Sequence, residues 1–373
     1  MKKIRLLFIM KEVCPTAAKI IGGIRYYGGD RIEIITMSEY NKGNEIWSKL
    51  GYILNTDKYI YNNPAGYLEK WMKYFLIRSF VWKRALKDLD KDDIDIIQTI
   101  TPDYIPILVS QYIKKPIFHH FRELQSIFPF ELFEKGLRRA LLPIKEFILY
   151  RMEEQALKLC DVYSCDSIMW LNILKSKLKK EKEFIIIRNA PLSFMLPKKR
   201  NEKLSKQDNC KRVVYHGHIN ISSINFLKEI CQRGIHLHVY PIIKDKRVRN
   251  AIDELKQYNN FAVHPNITGY KELIFEISKY DYGLIPPSDK NLGLYFDTYL
   301  PCKIFDYIAA GLTVLLGNYT NIRNFVETNH VGYIINNVDE LGEVIEKDDT
   351  KEIVPITADE DIKKLIDKFR DYL

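Results

Sequence analysis

The sequence predicts an α/β protein built of two consecutive doubly wound units, and three observations carry that expectation. Both halves alternate short β-branched runs with longer amphipathic stretches, the pattern of parallel sheets covered by helices. The 373 residues suffice for two domains of ordinary size, each with its own core. Between the halves lies "PKKRNEKLSKQDNCKR", which has no apolar periodicity and reads as too charged to pack. The expected division is an N-terminal domain over 1–196, a linker over 197–211, a C-terminal domain over 212–350 and a terminal segment over 351–373.

Element by element, the first half offers strands at "IRLLFI" (4–9), "IEIIT" (32–36), "IDIIQ" (94–98), "PIFHH" (116–120), "DVYS" (161–164) and "FIIIR" (184–188). Helical stretches separate them, notably 66–88 and 131–159. The second half offers "RVVYH" (212–216), "IHLHVY" (235–240), "FAVH" (261–264), "YGLIP" (282–286), "TVLLG" (313–317) and "VGYII" (331–335). Two such sheets are expected to present their C-terminal strand ends across a cleft, where open α/β sheets bind ligands. The closing "ADEDIKKLIDKFRDYL" reads as a charged amphipathic helix able to fold back on the N-terminal domain.

Composition narrows the class. Apolar residues make up 46% and charged residues 28%, the profile of a soluble globular chain. No apolar run approaches the roughly 20 residues of a membrane helix. At the N-terminus, Lys11 and Glu12 follow Leu6–Met10 at once, so the segment reads as a strand and not as a signal peptide. The six cysteines form no CxxC pair, which points away from structural zinc or a disulfide framework and toward a reducing cytoplasm. The net charge of +9 is uneven: residues 1–190 hold 32 Lys and Arg against 23 Asp and Glu, and the remainder holds 25 of each.

The most informative stretch is "LPCKIFDYIAAGLTVLLGN" (300–318). Lys303 and Asp306 stand at i and i+3 on one helix face. An isolated pair of this kind is ordinarily a surface ion pair. Here Pro301 can start the helix without needing its N–H. Exposed N–H groups at a helix start attract phosphate oxygens, and Lys303 adds a full positive charge in the first turn. Asp306 can accept the two hydroxyls of a ribose diol. A lysine for phosphate and an acid for ribose together describe a nucleotide diphosphate site.

"PCKIFDYIAAGLTV" resembles the P-x-K-x-x-E-Y-x-A-x-G-x-P-V segment of nucleotide-sugar glycosyltransferases with the GT-B fold, two Rossmann-like domains, especially the group-1 (family 4-like) enzymes. Further segments match in order: "PIFHHFREL", "IIIRNAP", "RVVYHGHI" and "HPNITGYKELIFEISKYDYGLIPPS". The resemblance implies that Lys303 contacts the donor diphosphate and that Asp306 binds the ribose. It also implies that backbone near Gly217 and His218 cradles phosphate and that Ile267 lies near the base. Two departures stand out. Aspartate at 306 replaces the family's glutamate, one methylene longer. The family's earlier acid falls on Thr298, with Asp297, carried as a donor-binding candidate, one position off.

In the first half "HHFRE" (119–123) gathers two imidazoles, a guanidinium and a carboxylate at a strand end. His120 and Glu123 are candidates for a general base, and Arg122 for orienting the acceptor or stabilising the leaving phosphate. Gly22-Gly23 and Gly28-Gly29 do not fit a dinucleotide fingerprint. Asp93-Ile94-Asp95 mimics a metal-binding D-x-D, yet it precedes a strand and reads as a solvated loop, so no metal or other cofactor is expected. Two stretches, 66–87 and 128–151, interleave aromatics with Lys and Arg; with the basic half, they suit an anionic membrane surface.

The expected activity is transfer of a sugar from a nucleotide-diphosphate donor to a glycan or lipid-linked acceptor. A nucleotide-sugar epimerase on the same fold is the alternative. A nucleic-acid-binding role lacks any supporting motif, so no nucleic acid partner is expected.

Overall fold

The computed structural model describes residues 3–11, 14–40, 58–61, 84–86, 89–132, 137–243, 245–287, 297–298, 300–347 and 353–373. It divides into two compact units, Met1–Arg188 with Ala358–Leu373, and Asn189–Thr357.

The first unit is built on a seven-stranded sheet in the order β3-β2-β1-β4-β5-β6-β7, every pair parallel. Its elements run β1 (Ile4–Met10), α1 (Pro15–Gly28), β2 (Ile32–Tyr40), β3 (Lys58–Tyr61), β4 (Ile96–Ile100), α2 (Tyr104–Ser110), β5 (Ile117–Phe121), α3 (Leu142–Leu159), β6 (Val162–Cys165), α4 (Ile168–Ser176) and β7 (Glu183–Ile186). Central strands such as β1 are near-continuously apolar and buried, because helices cover both faces of a parallel sheet. Cys14 caps α1 through its Sγ and Pro15 occupies the first turn, where a missing N–H costs nothing.

The second unit repeats the scheme with six parallel strands in the order β10-β9-β8-β11-β12-β13. Its elements are β8 (Arg212–His218), α5 (Ile221–Gln232), β9 (His236–Ile242), α6 (Lys246–Leu255), β10 (Phe261–Val263), α7 (Tyr270–Ile277), β11 (Tyr282–Ile285), α8 (Cys302–Ala310), β12 (Thr313–Gly317), α9 (Thr320–Asn329), β13 (Gly332–Ile335) and α10 (Val338–Lys347). The chain then supplies α11 (Asp359–Arg370), which belongs to the first unit and packs on α1 and β7. In each sheet the strand order reverses next to the first strand, at β1/β4 and at β8/β11. Such a switch point opens a crevice at the carboxyl ends of the strands.

The strands expected from sequence fall on these elements with small shifts at their ends. β3, a four-residue edge strand, goes beyond that expectation. Of the expected helix over 131–159, the described residues form a 3-10 turn at Phe130–Leu132, a single helical turn at Leu137–Ala140, and α3, whose first turn holds Pro143. Residues 84–86 are helical; the rest of the basic, aromatic stretch 66–88 lies outside the described residues.

The segment expected to be an unpacked linker is corrected by the structure. Residues 197–211 belong to the second unit and are fastened to it. Arg200 donates to the carbonyl oxygens of Ala309 (3.2 Å) and Ile353 (3.3 Å), and Lys203 donates to those of Gly311 (3.0 Å) and Tyr280. Leu204 N–H bonds Lys279 O at 2.9 Å. The cations that made the stretch look solvated instead satisfy backbone carbonyls, those of Ala309 and Gly311 at the end of α8 among them. Burial brings the Lys203 ammonium down to about 8.

Candidate functional site

In the second unit, four of the residues singled out in sequence meet at the carboxyl end of β8. Gly217 adopts φ +88°, a left-handed conformation that favours glycine, and a Cβ there would sit 3.1 Å from Lys303 Cε. Lys303 reaches this strand end from the first turn of α8. Its Nζ donates to Tyr215 Oη at 2.8 Å and to His218 O at 3.3 Å, and lies 4.0 Å above the Tyr215 ring. Tyr215 Oη in turn donates to His218 O. Desolvation brings the Lys303 ammonium down to about 8, partly countered by neighbouring Cys302 and Asp306. It therefore stays largely protonated at neutral pH, a cation held beside the half-buried glycine backbone.

The reason Lys303 points there lies one turn along its helix. Tyr307, fully buried, packs over Gly283 of β11, where a Cβ would come within 2.1 Å of the ring. Its hydroxyl donates to Leu284 O at 3.0 Å and accepts from His216 N–H at 3.3 Å. This double link pins α8 to β8 and β11 and sets the register of Lys303. Pro301 serves as the N-cap of α8, with φ −62° and ψ 137°, so the helix starts one residue later than the sequence suggests.

Asp306 is half-buried. Its Oδ1 accepts from Tyr270 Oη at 2.7 Å, fixing the carboxylate to the start of α7. Its Oδ2 lies 3.4 Å from His216 Nε2, though the two are not aligned for a hydrogen bond. Burial first, and the Lys303 charge second, push His216 down to about 3, so it stands as a neutral imidazole. Lys303 and Asp306 thus each have their own supports, and the pair is not a detached surface ion pair. Ile267 is half-buried in the loop between β10 and α7, whereas Asp297 is exposed and Thr298 buried. Residues 288–296 lie outside the described residues.

The first-unit candidates are placed differently from one another. His120, the penultimate residue of β5, is wholly buried, with Nδ1 3.0 Å from Ser164 Oγ on β6. Burial, then the charges of Lys19, His119 and Arg122, push its pKa well below the usual value. Arg122 and Glu123 follow the strand, paired at 2.7 Å and about one-third exposed, and Arg122 N–H bonds Thr101 Oγ1 at 3.0 Å. Arg122 and Glu123 are therefore the reachable members of the three, and Glu123 is the only carboxylate among them. The structure adds a residue that the sequence did not signal. Asp166, two positions beyond Ser164 and almost fully buried, is pushed up to about 7 by desolvation against the opposing charges of Lys19 and Arg122. Lys19 itself donates to Arg188 O at 2.7 Å. Asp95 and Asp93 both turn to Arg5: Asp95 Oδ2 accepts its N–H at 2.9 Å and Asp93 pairs with its guanidinium.

Comparison with known proteins bears on this arrangement. Residues 213–368 match the family model of the glucosyltransferase 3-like C-terminal domain, a span holding Gly217, Ile267, Lys303 and Asp306. Among solved structures, sucrose-phosphate synthase from Thermosynechococcus elongatus superposes with a TM-score of 0.65 at 11% identity, covering 97% of this chain and 95% of that one. The lipopolysaccharide outer core galactosyltransferase WaaB gives 0.59 at 11% identity, with 98% and 99% covered. The chain has a GT-B glycosyltransferase-like fold. UDP-GlcNAc 2-epimerase from Methanocaldococcus jannaschii superposes equally well, at 0.64 and 11% identity with 99% and 100% covered, so the GT-B fold by itself does not separate transfer from epimerisation. A search of curated proteins finds no match to the sequence.

In the GT-B frame, Tyr215, His216, Tyr270 and Tyr307 emerge as the supports of the candidate donor site. Only their alternation with apolar residues marks them in sequence, and that pattern is shared by any strand or helix.

Proposed function

We propose that this protein transfers a sugar from a nucleotide-diphosphate sugar to a hydroxyl of a glycan or lipid-linked acceptor, with the donor held by the second unit. The observation that carries the reading is Lys303 Nζ fixed at the end of β8 beside Gly217. That geometry suits a diphosphate, whose oxygens would meet an ammonium beside the Cβ-less backbone of Gly217. Asp306, a half-buried carboxylate anchored by Tyr270, supplies the acceptor chemistry that a ribose hydroxyl needs. Asp297, exposed as it stands, is the candidate carboxylate for the donor sugar in this scheme.

In the reaction, the bond from the anomeric carbon to the β-phosphate oxygen breaks and the nucleoside diphosphate leaves with the electron pair. A bond from the acceptor oxygen to that carbon forms, and the acceptor proton passes to a base or to the departing phosphate. Lys303 stabilises the charge that grows on the phosphate, the term that acts most strongly in a desolvated site. This role would let the chain work without a metal ion. Glu123 is the candidate base if the anomeric centre inverts; His120 and Arg122 then shape the acceptor side.

A nucleotide-sugar epimerase is the second reading, favoured by the similarity to UDP-GlcNAc 2-epimerases. Incubation of the protein with a bound nucleotide sugar and no acceptor separates the two. A transferase leaves the sugar's configuration unchanged and releases nucleoside diphosphate only on addition of acceptor. Accumulation of an epimeric sugar nucleotide without acceptor would overturn transfer.

A further inference from the structure

The helix α3 carries an outward face rich in exposed apolar side chains. Phe147 is 66% exposed and Ile144 56%, while Leu141, Tyr150 and Leu159 are each exposed by more than a third. Five of the large apolar side chains most exposed among the described residues therefore cluster on one 19-residue stretch. Ile144, Phe147, Arg151 and Lys158 follow one another at i, i+3, i+7 and i+14, which places them along a single side of the helix. Of the charges of this stretch, Arg151 and Lys158 are exposed, as is Arg139 just before it, whereas Lys145, Glu146 and Glu154 are half-covered and Glu153 is buried. Glu153 bonds Ser126 N–H and Oγ and pairs with Lys177, while Glu154 pairs with Arg151 at 2.9 Å.

An apolar, aromatic strip continued by cations, on the half of the chain that holds the whole excess of 9 positive charges, is complementary to one kind of surface. We propose that α3 is a membrane-docking face, lying in the headgroup region of an anionic bilayer with Ile144 and Phe147 entering the acyl boundary and Arg151 and Lys158 meeting lipid phosphates. The apolar side chains supply the depth and the cations the preference for negative lipid. Among the described residues no helix is long and apolar enough to cross a membrane, so the contact would be peripheral. The inference is independent of the sugar-transfer reading, since none of its residues belongs to the candidate donor site.

The test is co-sedimentation of the full chain with phosphatidylcholine vesicles, with and without phosphatidylglycerol, at low and high salt. The wild type is expected to pellet with the anionic vesicles and to be released by salt. Joint substitution Ile144→Glu and Phe147→Glu should weaken that partition by about tenfold or more. Charge reversal, Arg151→Glu with Lys158→Glu, should erase the difference between anionic and neutral vesicles. Nucleotide titration of each variant checks the second unit separately, and helical circular dichroism checks that α3 is intact. Because the substituted positions are solvent-exposed, the variants are expected to fold. Equal partition of wild type and variants, or no wild-type binding to any vesicle, overturns the proposal. So does a wild-type dimer in solution that Phe147→Glu converts to monomer, since the face would then belong to a second copy of the chain.

Discussion

Lys303 links a proton equilibrium to ligand binding. A free lysine ammonium loses its proton near 10.4, but desolvation in this site brings Lys303 to about 8. If the ammonium holds a diphosphate, affinity is full below pH 8, where the charge is present, and falls as pH rises through 8. The fall should approach about tenfold per pH unit until the bound-state pKa is reached. Nucleotide titrations at pH 7, 8 and 9 would reveal it, and Lys303→Arg should flatten the profile because guanidinium stays charged. An unchanged affinity across this range would remove Lys303 from the site. At this scale the sequence was partly legible. Lys303, Asp306 and Gly217 were readable because helix spacing and a strand-ending glycine have local signatures. Tyr215, Tyr270 and Tyr307 were not, because each works through a partner 36 to 91 positions away in the chain. Asp166 gives no sequence signal at all: its unusual proton affinity comes from burial, which a lone Asp-Ser dipeptide does not reveal.

The element with the most to lose is α11. Its first turn holds Asp359, Glu360 and Asp361 and its last Lys368 and Arg370, the order that the helix dipole favours. Arg188 grips Asp361 through two side-chain bonds of 2.9 Å and a backbone bond of 3.0 Å, and Tyr27 donates to Asp359. The Asp361 bonds raise the Arg188 guanidinium above its ordinary range. Phe369 is fully buried and meets the Phe118 ring edge-on at 4.9 Å. Phe369→Ala should destabilise the first unit by about 3–5 kcal/mol, the cost of a large core cavity. Asp361→Asn should cost about 1.5–3 kcal/mol, as for hydrogen bonds to a charged group. Urea unfolding followed at the tryptophans would check both, and a loss under 1 kcal/mol in the phenylalanine variant would contradict the packing described. That this segment is a charged amphipathic helix was legible from its period. That residues 197–211 pack was not, because a run of cations looks alike whether water or helix-end carbonyls receive it.

Across the whole molecule, the two units differ in how they hold protons. The second unit keeps His216 at about 3 and His238 at about 4, each chiefly by burial, and burial lowers His264 as well. These imidazoles titrate near 6.5 when unfolded, so the unfolded chain binds more protons below that pH. Stability of this unit should therefore fall as pH drops from 6.5 toward 4, by up to about 1.4 kcal/mol per pH unit for each histidine. The first unit carries the same term at His120 but sets raised carboxyl groups against it. Asp166, pushed to about 7, and Asp103, raised by burial, bind protons more readily folded than unfolded, and so gain stability as pH falls below 7. Hydrogen exchange, corrected for intrinsic rate, should show protection in β9 collapsing on acidification before protection in β5. Equal losses would contradict this accounting. The two-unit α/β plan was the most legible feature of all, because alternating strand and helix periods recur over the whole chain and need no long-range partner to be read. The central claim remains the nucleotide site, and titration calorimetry of the purified protein against UDP, GDP, CDP, ADP and dTDP, without and then with magnesium, tests it most directly. The account predicts clear binding of one nucleotide, weakened by about 1–3 kcal/mol in Lys303→Ala, the loss of a charged hydrogen bond. No binding by any of the five, or an affinity unmoved by that substitution, would contradict it.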